Sequence, residues 1–385
     1  MSRKQLISLF IAYTIPTLIG NSLLPLLPVY TSMLGGDTSM TGLYLGLAFG
    51  VLAVGTLISG WLTDHFQQRK IFIILAGVIN IPALFLMGHV TALWQLTLLT
   101  MIVWFVGGIS MAAVQILAGM CAPAAERGRI FGILATTLGV SQLAGGLFSG
   151  RIVDQWGFPA LFMLLAVAQL ALIAAGVLLK DEPGSRSQES QQTRSQPMGR
   201  AVWLVLVASM LTSTLVFSSN LGLTVSMTSL GFDATAISSS LAIAGFITLP
   251  LPFVIGWLSD RFDRGRLLAL VYGAAFTAAV ILAQSSELWH FWVVQILMAA
   301  TGGSLSVGSA LIADLAHPRN LSAAMSRFAA TRWLGGVIGF AGSGFVMQAV
   351  GFELTYLSTA LLALVAILLQ LAIGHEPHQR AAHTA

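Results

Sequence analysis

The chain has 385 residues, of which 56% are hydrophobic and only 8% charged, against roughly 25% charged in an average soluble domain. So few charges cannot cover the surface of a soluble protein of this size, and a mean hydropathy of +0.87 excludes disorder. The composition is that of an integral membrane protein. One cysteine, Cys121, excludes a disulfide framework and a cysteine-based zinc site. The net charge of +4 is spread one or two residues per loop and forms no patch for nucleic acid.

A membrane helix needs roughly 20 apolar residues. Cutting the chain at its charges, prolines and Asn/Asp/Gly clusters leaves twelve such runs: 5–33, 38–63, 70–88, 92–122, 127–153, 158–180, 200–230, 234–259, 266–285, 288–315, 321–349 and 353–374. Strand-like alternation is absent, which excludes a β-barrel. The first run is too long for a signal-peptide core and no small-residue cleavage site follows it, so an uncleaved first helix is expected.

Placing the N-terminus inside puts 16 of the 18 Lys and Arg on the inner side, among them Arg3, Lys4, Arg69, Lys70, Arg127, Arg129, Arg261, Arg264 and Arg266. Arg151 stays outside and Arg332 falls within a span. Both termini are therefore expected in the cytoplasm, with the protein in the plasma (inner) membrane. The longest polar stretch, Asp181 to Arg200, is rich in Ser, Gln and Arg and reads as a cytoplasmic linker. It divides the chain into an N-terminal six-helix unit, 1–180, a linker, 181–199, and a C-terminal six-helix unit with a short tail, 200–385. The remaining loops leave no room for an ATP-binding or catalytic module.

The two halves repeat each other. Leu34-Gly35-Gly36-Asp37 matches Leu230-Gly231-Phe232-Asp233, a shift of 233 − 37 = 196. Gly60-Trp61-Leu62-Thr63-Asp64 matches Gly256-Trp257-Leu258-Ser259-Asp260 at 196 again. Trp94, Gly107-Gly108 and Pro123 pair with Trp289, Gly302-Gly303 and Pro318 at 195, and Gly157-Phe158 with Gly351-Phe352 at 194. Two six-span halves in one orientation imply a pseudo-two-fold along the membrane normal, with a substrate site between them near the midplane.

On these residues the chain resembles the major facilitator superfamily, and its bacterial drug and metabolite efflux branch in particular. The family's signature between spans two and three, G-x-L-x-D-R-x-G-R-[RK], reads here Gly60-Trp61-Leu62-Thr63-Asp64-His65-Phe66-Gln67-Gln68-Arg69-Lys70. His65, Gln67 and Gln68 depart from it. The second copy runs from Gly256 through Asp260 to Arg264, with Asp263 in place of the usual Gly. The resemblance implies an all-α fold of twelve transmembrane helices in two pseudo-symmetric bundles. It also implies a gating latch at Gly60, Asp64, Arg69, Gly256, Asp260 and Arg264. The plainer alternative for the two acids is a solvated loop charge.

Polar groups inside the spans are costly and normally face a cavity or a partner. Asn21, Gln115, Gln142, Asn220, Gln295 and Trp104, with Tyr13 and Ser218-Ser219, fall in spans one, four, five, seven and ten, which line the cavity in this family. Arg332 is the one charge within a span. It reads as an anion ligand in the cavity, as a partner of Asp314, or as a side chain reaching the headgroups. No Asp or Glu lies mid-span. Trp104 stands where the family's span-four arginine would be, and Ser141-Gln142 where span five often has Gly-Pro, so a typical proton/drug antiport mechanism is not expected.

His375, His378 and His383 lie in a polar tail and read as solvated rather than metal-binding. No nucleophile–base arrangement is present. The expectation is a transporter with no enzymatic activity, no metal and no cofactor, acting as a monomer on a small-molecule substrate in the bilayer, with a coupling ion, a proton or another, as an open further partner. Export of a hydrophobic or amphipathic compound is the first reading. Uptake of a neutral metabolite, and a lipid flippase or non-transporting sensor on the same fold, are the rivals.

Overall fold

The computed structural model describes residues 2–66, 68–121, 127–180, 198–316 and 321–373. Among the described residues the chain runs through fourteen α-helices: α1 Arg3–Leu23, α2 Leu27–Met33, α3 Thr38–Phe66, α4 Arg69–Met87, α5 Leu93–Cys121, α6 Arg127–Leu178, α7 Arg200–Ser229, α8 Ala234–Thr248, α9 Leu251–Arg261, α10 Arg264–Ala283, α11 Leu288–Ala300, α12 Ser304–Leu315, α13 Leu321–Val350 and α14 Phe352–Ile373. Most of the linker, 181–197, and the tail histidines lie outside the described residues.

Among the described residues, ten helices are long and apolar enough to cross a membrane. The pair Ala234–Thr248 and Phe253–Ser259, bent by 42°, makes an eleventh span. Pro250 and Pro252 fall at that bend, where each removes a backbone N–H from the ladder. The twelfth is hidden inside α6. Its 52 residues would extend roughly 78 Å at 1.5 Å per residue, more than twice a hydrocarbon core of about 30 Å. Gly157 divides it: φ 79° with ψ 173° is a conformation essentially confined to glycine.

The duplication read from sequence recurs in the backbone. Gly35 and Gly231 have φ of 80° and 82°, and Gly157 and Gly351 have 79° and 84°, at the same offsets of 196 and 194. The Leu-Gly-x-Asp copies thereby gain a physical meaning. The glycine turns the chain after one helix, and the aspartate two residues on caps the next. Asp37 accepts from the Met40 N–H at 2.8 Å and Asp233 from the Ala236 N–H at 2.7 Å. The Met40 N–H and the Ser39 hydroxyl hold the Asp37 carboxyl below the usual carboxylate range.

Two seams join the halves, α3 against α13 and α6 against α8. Both are tightest at the face that carries Asp37, Asp154 and Asp233, opposite the basic face of Arg69 and Arg264. A Cβ on Gly42 would stand 2.7 Å from the Gly344 Cα, and one on Gly46 would meet Ala341. In the other seam Gly146 and Gly150 receive the backbone of Ala242 and Ala234, and Gly245 receives Leu143. Lipid offers no hydrophobic drive between helices, so small residues that let backbones approach closely supply the packing. Toward the basic face the picture changes: among the described residues, nothing lies within 4 Å of a Cβ placed on Gly132. This conformation is closed at the acidic-loop face and opens toward the basic face.

Candidate functional site: a central cavity and its closed seam

The seams end inward in an aromatic plug. Phe49 of α3 contacts Phe217 of α7 and Phe340 of α13, each with ring centroids 4.9 Å apart, and Phe217 lies 5.3 Å from Phe340. Trp333 joins at 6.4 Å from Phe49. All three phenylalanines are buried. The plug draws on both halves and was not legible from spacing, because its rings come from three separate spans.

Arg332 sits beneath it. The lipid face of α13 is marked by exposed Leu334, Ile338 and Phe345. At about 100° per residue, Arg332 points roughly 140° away from that face. Gly336, one turn further on, touches Phe217 and Phe49. Arg332 is nonetheless solvent-exposed. Its side chain therefore faces the inner side of the bundle rather than lipid.

Across the divide, the Gln115 amide donates to the Tyr13 hydroxyl at 2.6 Å, and that tyrosine is near enough to Arg332 to interact electrostatically. Tyr13, Gln115 and Arg332 therefore converge from α1, α5 and α13. The other candidates are placed differently. Asn21 and Asn220 each turn an amide back to their own helix, donating to the Thr17 and Val216 carbonyls at 2.8 Å. Both remain partly exposed. Gln142 is partly buried, and its Oε1 has no hydrogen-bond partner among the described residues. Trp104 is buried in the core, and Gln295 is buried beside Phe291, Val294 and Met298 on α11. Ser218 and Ser219 are buried in α7.

Asp314 does not pair with Arg332. It takes a 2.6 Å ion pair from Arg264 at the basic face, where both side chains are partly exposed. A double-mutant cycle of Arg332→Ala with Asp314→Ala should give a coupling near zero. The same cycle with Arg264→Ala should give up to about 1 kcal/mol, the range of exposed pairs. Thermal unfolding of purified variants measures both. Of the remaining latch candidates, Arg69 is buried at the start of α4. The side chains of Asp64 and Asp260, and the surroundings of Gly256, lie outside the described residues.

Sequence reasoning gave Asp154 no gating role. Its carboxylate, on α6, accepts from the Ala234 N–H at 3.2 Å, the Thr235 N–H at 2.8 Å and the Thr235 hydroxyl, all at the start of α8. A carboxylate on exposed N–H groups at a helix N-terminus is favourable through charge and hydrogen bonding together. This contact crosses from one half to the other at the closed face. Its only sequence signal is an acid at the outer end of span five.

Two helical halves meeting at two seams, close-packed at one face and looser toward the other, have the architecture of a membrane transport protein. The chain belongs to the Major Facilitator Superfamily, which it matches over residues 9–286 and, overlapping, 202–385. It is a multi-pass membrane protein and a secondary transporter, in a family that moves small molecules and is not enzymatic. It is 24% identical over 357 residues to "Multidrug resistance protein MdtG" of Proteus mirabilis (strain HI4320), covering 88% of each chain. Its fold matches a bacterial homolog of the human lysosomal transporter Spinster, in an inward-facing and unoccupied conformation. The TM-score is 0.76 at 14% identity, over 97% of both chains. The nucleoside transporter NupG matches with a TM-score of 0.76 at 15% identity, over 97% of this chain and all of that one.

Proposed function

We propose that this chain exports a hydrophobic or amphipathic small molecule across the inner membrane by rocking its two halves, 1–180 and 200–385, with both termini in the cytoplasm. The observation that carries the reading is the asymmetry of the seams. The glycine-packed, Asp154-capped contacts lie at one face, while Gln115 and Arg332 stand exposed in a cavity toward the other. The positive-inside bias makes the open face cytoplasmic, where an exporter loads. An aromatic roof above a few polar side chains suits an amphipathic solute. The likeness to a relative named for multidrug resistance supports export over uptake.

Asp154 is the latch of the outer gate. Gly60, Asp64, Arg69, Gly256, Asp260 and Arg264 form the corresponding inner gate, which closes as the outer one opens. The carrier works as a monomer, with its cavity formed between the two halves of one chain. No cofactor is involved.

Energised everted vesicles carrying the protein should accumulate a lipophilic dye such as Nile red faster than control vesicles, and intact cells should retain less of it. Faster net entry into cells, with no accumulation in everted vesicles, would reverse the direction. Equal fluxes in both preparations, with lipid scrambling in proteoliposomes, would replace solute export by the flippase reading.

A further inference from the structure

Among the described residues, three other arginines of the second half have protein partners for their charge, while Arg200 and Arg266 are exposed at helix starts that the positive-inside orientation makes cytoplasmic. Arg264 pairs with Asp314, Arg261 lies 4.1 Å over the Trp257 ring, and Arg327 lies 5.6 Å over the Trp203 ring. Arg332 has no carboxylate or carbonyl acceptor there. It stands eleven residues into α13, about 5 Å from the middle of that 30-residue helix at 1.5 Å per residue. The described carboxylates lie at helix ends or in loops, and none is placed mid-span to neutralise it.

Water reaches this guanidinium only while the basic face is open. When that face closes, an unpaired charge is left in an occluded cavity, at a cost of a few kcal/mol. A substrate that brings its own negative charge removes that cost. The planar guanidinium fork matches a carboxylate, sulfonate or phosphate bidentately, and the Tyr13 hydroxyl, oriented by Gln115, adds a donor on the facing side. Trp333 and the Phe49–Phe217 pair begin within one turn of the charge, where an apolar body attached to the acid group would lie.

We infer that Arg332, Tyr13 and Gln115 form the binding site for the acidic group of an amphipathic organic anion. The inference rests on the cavity reading above and narrows its substrate class. It also has a kinetic consequence: the loaded carrier occludes more readily than the empty one, so exchange of anions runs faster than their net movement.

The test uses three probes of nearly equal shape, 2-naphthoate, 2-naphthamide and 2-naphthylmethylamine, titrated calorimetrically into purified protein. The expected order is naphthoate tighter than naphthamide by about tenfold or more, with the ammonium weakest. R332Q should lose the preference for naphthoate while still binding naphthamide, which also shows that the variant is folded. R332K should keep part of the preference, and Y13F should weaken naphthoate several-fold only. The inference is overturned if naphthamide or the amine binds wild type as tightly as naphthoate. It is also overturned if R332Q leaves naphthoate affinity unchanged, or if naphthoate fails to bind at millimolar concentration. Arg332-dependent naphthoate binding without naphthoate flux in proteoliposomes leaves the anion site standing and removes the transport reading instead.

Discussion

Asp154→Ala should open the acidic-loop face. The carboxylate accepts three hydrogen bonds from the start of α8, two of them from backbone N–H groups that have no helical partner. Hydrogen bonds to a charged group contribute about 1.5–3 kcal/mol, so removing the acceptor should shift the balance between the two open states by roughly 10- to 100-fold. The readout is thiol labelling at Ser238→Cys in a Cys121→Ser background. Ser238 is buried in the seam beside Gly150, so it reacts only when α6 and α8 part. Labelling should rise strongly in Asp154→Ala and less in Asp154→Asn, which keeps an acceptor but loses the charge. Thr235→Ala, which removes only the hydroxyl, should change least. Unchanged labelling in all three would leave Asp154 as a helix cap with no gating role.

Gly344→Leu should bias the same face toward the open state by a different route, by preventing closure. In the closed seam, a Cβ on Gly344 would stand 2.8 Å from the Gly42 Cα and 2.8 Å from the Thr38 carbonyl oxygen. These are backbone atoms of α3 and cannot swing aside as a flexible side chain would. Overpacking of this kind typically costs 1–3 kcal/mol when neighbours adjust, and more when two helices must separate. Transport should fall about 100-fold with normal expression. Gly342→Leu is the control. Nothing lies within 4 Å of its Cβ position, so transport should be retained. Loss in both variants would mean that α13 tolerates no large residue anywhere in this stretch, and the seam would not be the cause.

The two experiments probe one event from two sides. Asp154 supplies attraction across the α6–α8 seam, and the glycines supply the room for close approach in both seams. A carrier needs contacts of this modest size. Seams held by many kcal/mol would not reopen, and substrate binding shifts an equilibrium only by its differential affinity for the two states.

The twelve spans, the duplication and the chemistry of the Leu-Gly-x-Asp turns were written in the chain. They depend on local properties: run length against bilayer thickness, a glycine able to take positive φ, and an aspartate able to cap the next helix. Repetition made them readable twice, at offsets of 194 to 196. Arg332 was equally legible, because a charge inside a span is conspicuous on cost alone. Its surroundings were not. Whether it met Asp314, lipid headgroups or a cavity depended on how α13 is rotated against α3 and α7, and that rotation is set by glycines that pack on those two helices. The plug of Phe49, Phe217 and Phe340 and the capping of α8 by Asp154 join residues that are 80 or more positions apart. No periodicity within one helix encodes such a pairing. Composition and spacing determined that this chain crosses a membrane twelve times as two copies of one design. Only the tertiary structure decided which face is shut, and what faces the space between the copies, because both follow from contacts between helices that are distant in sequence.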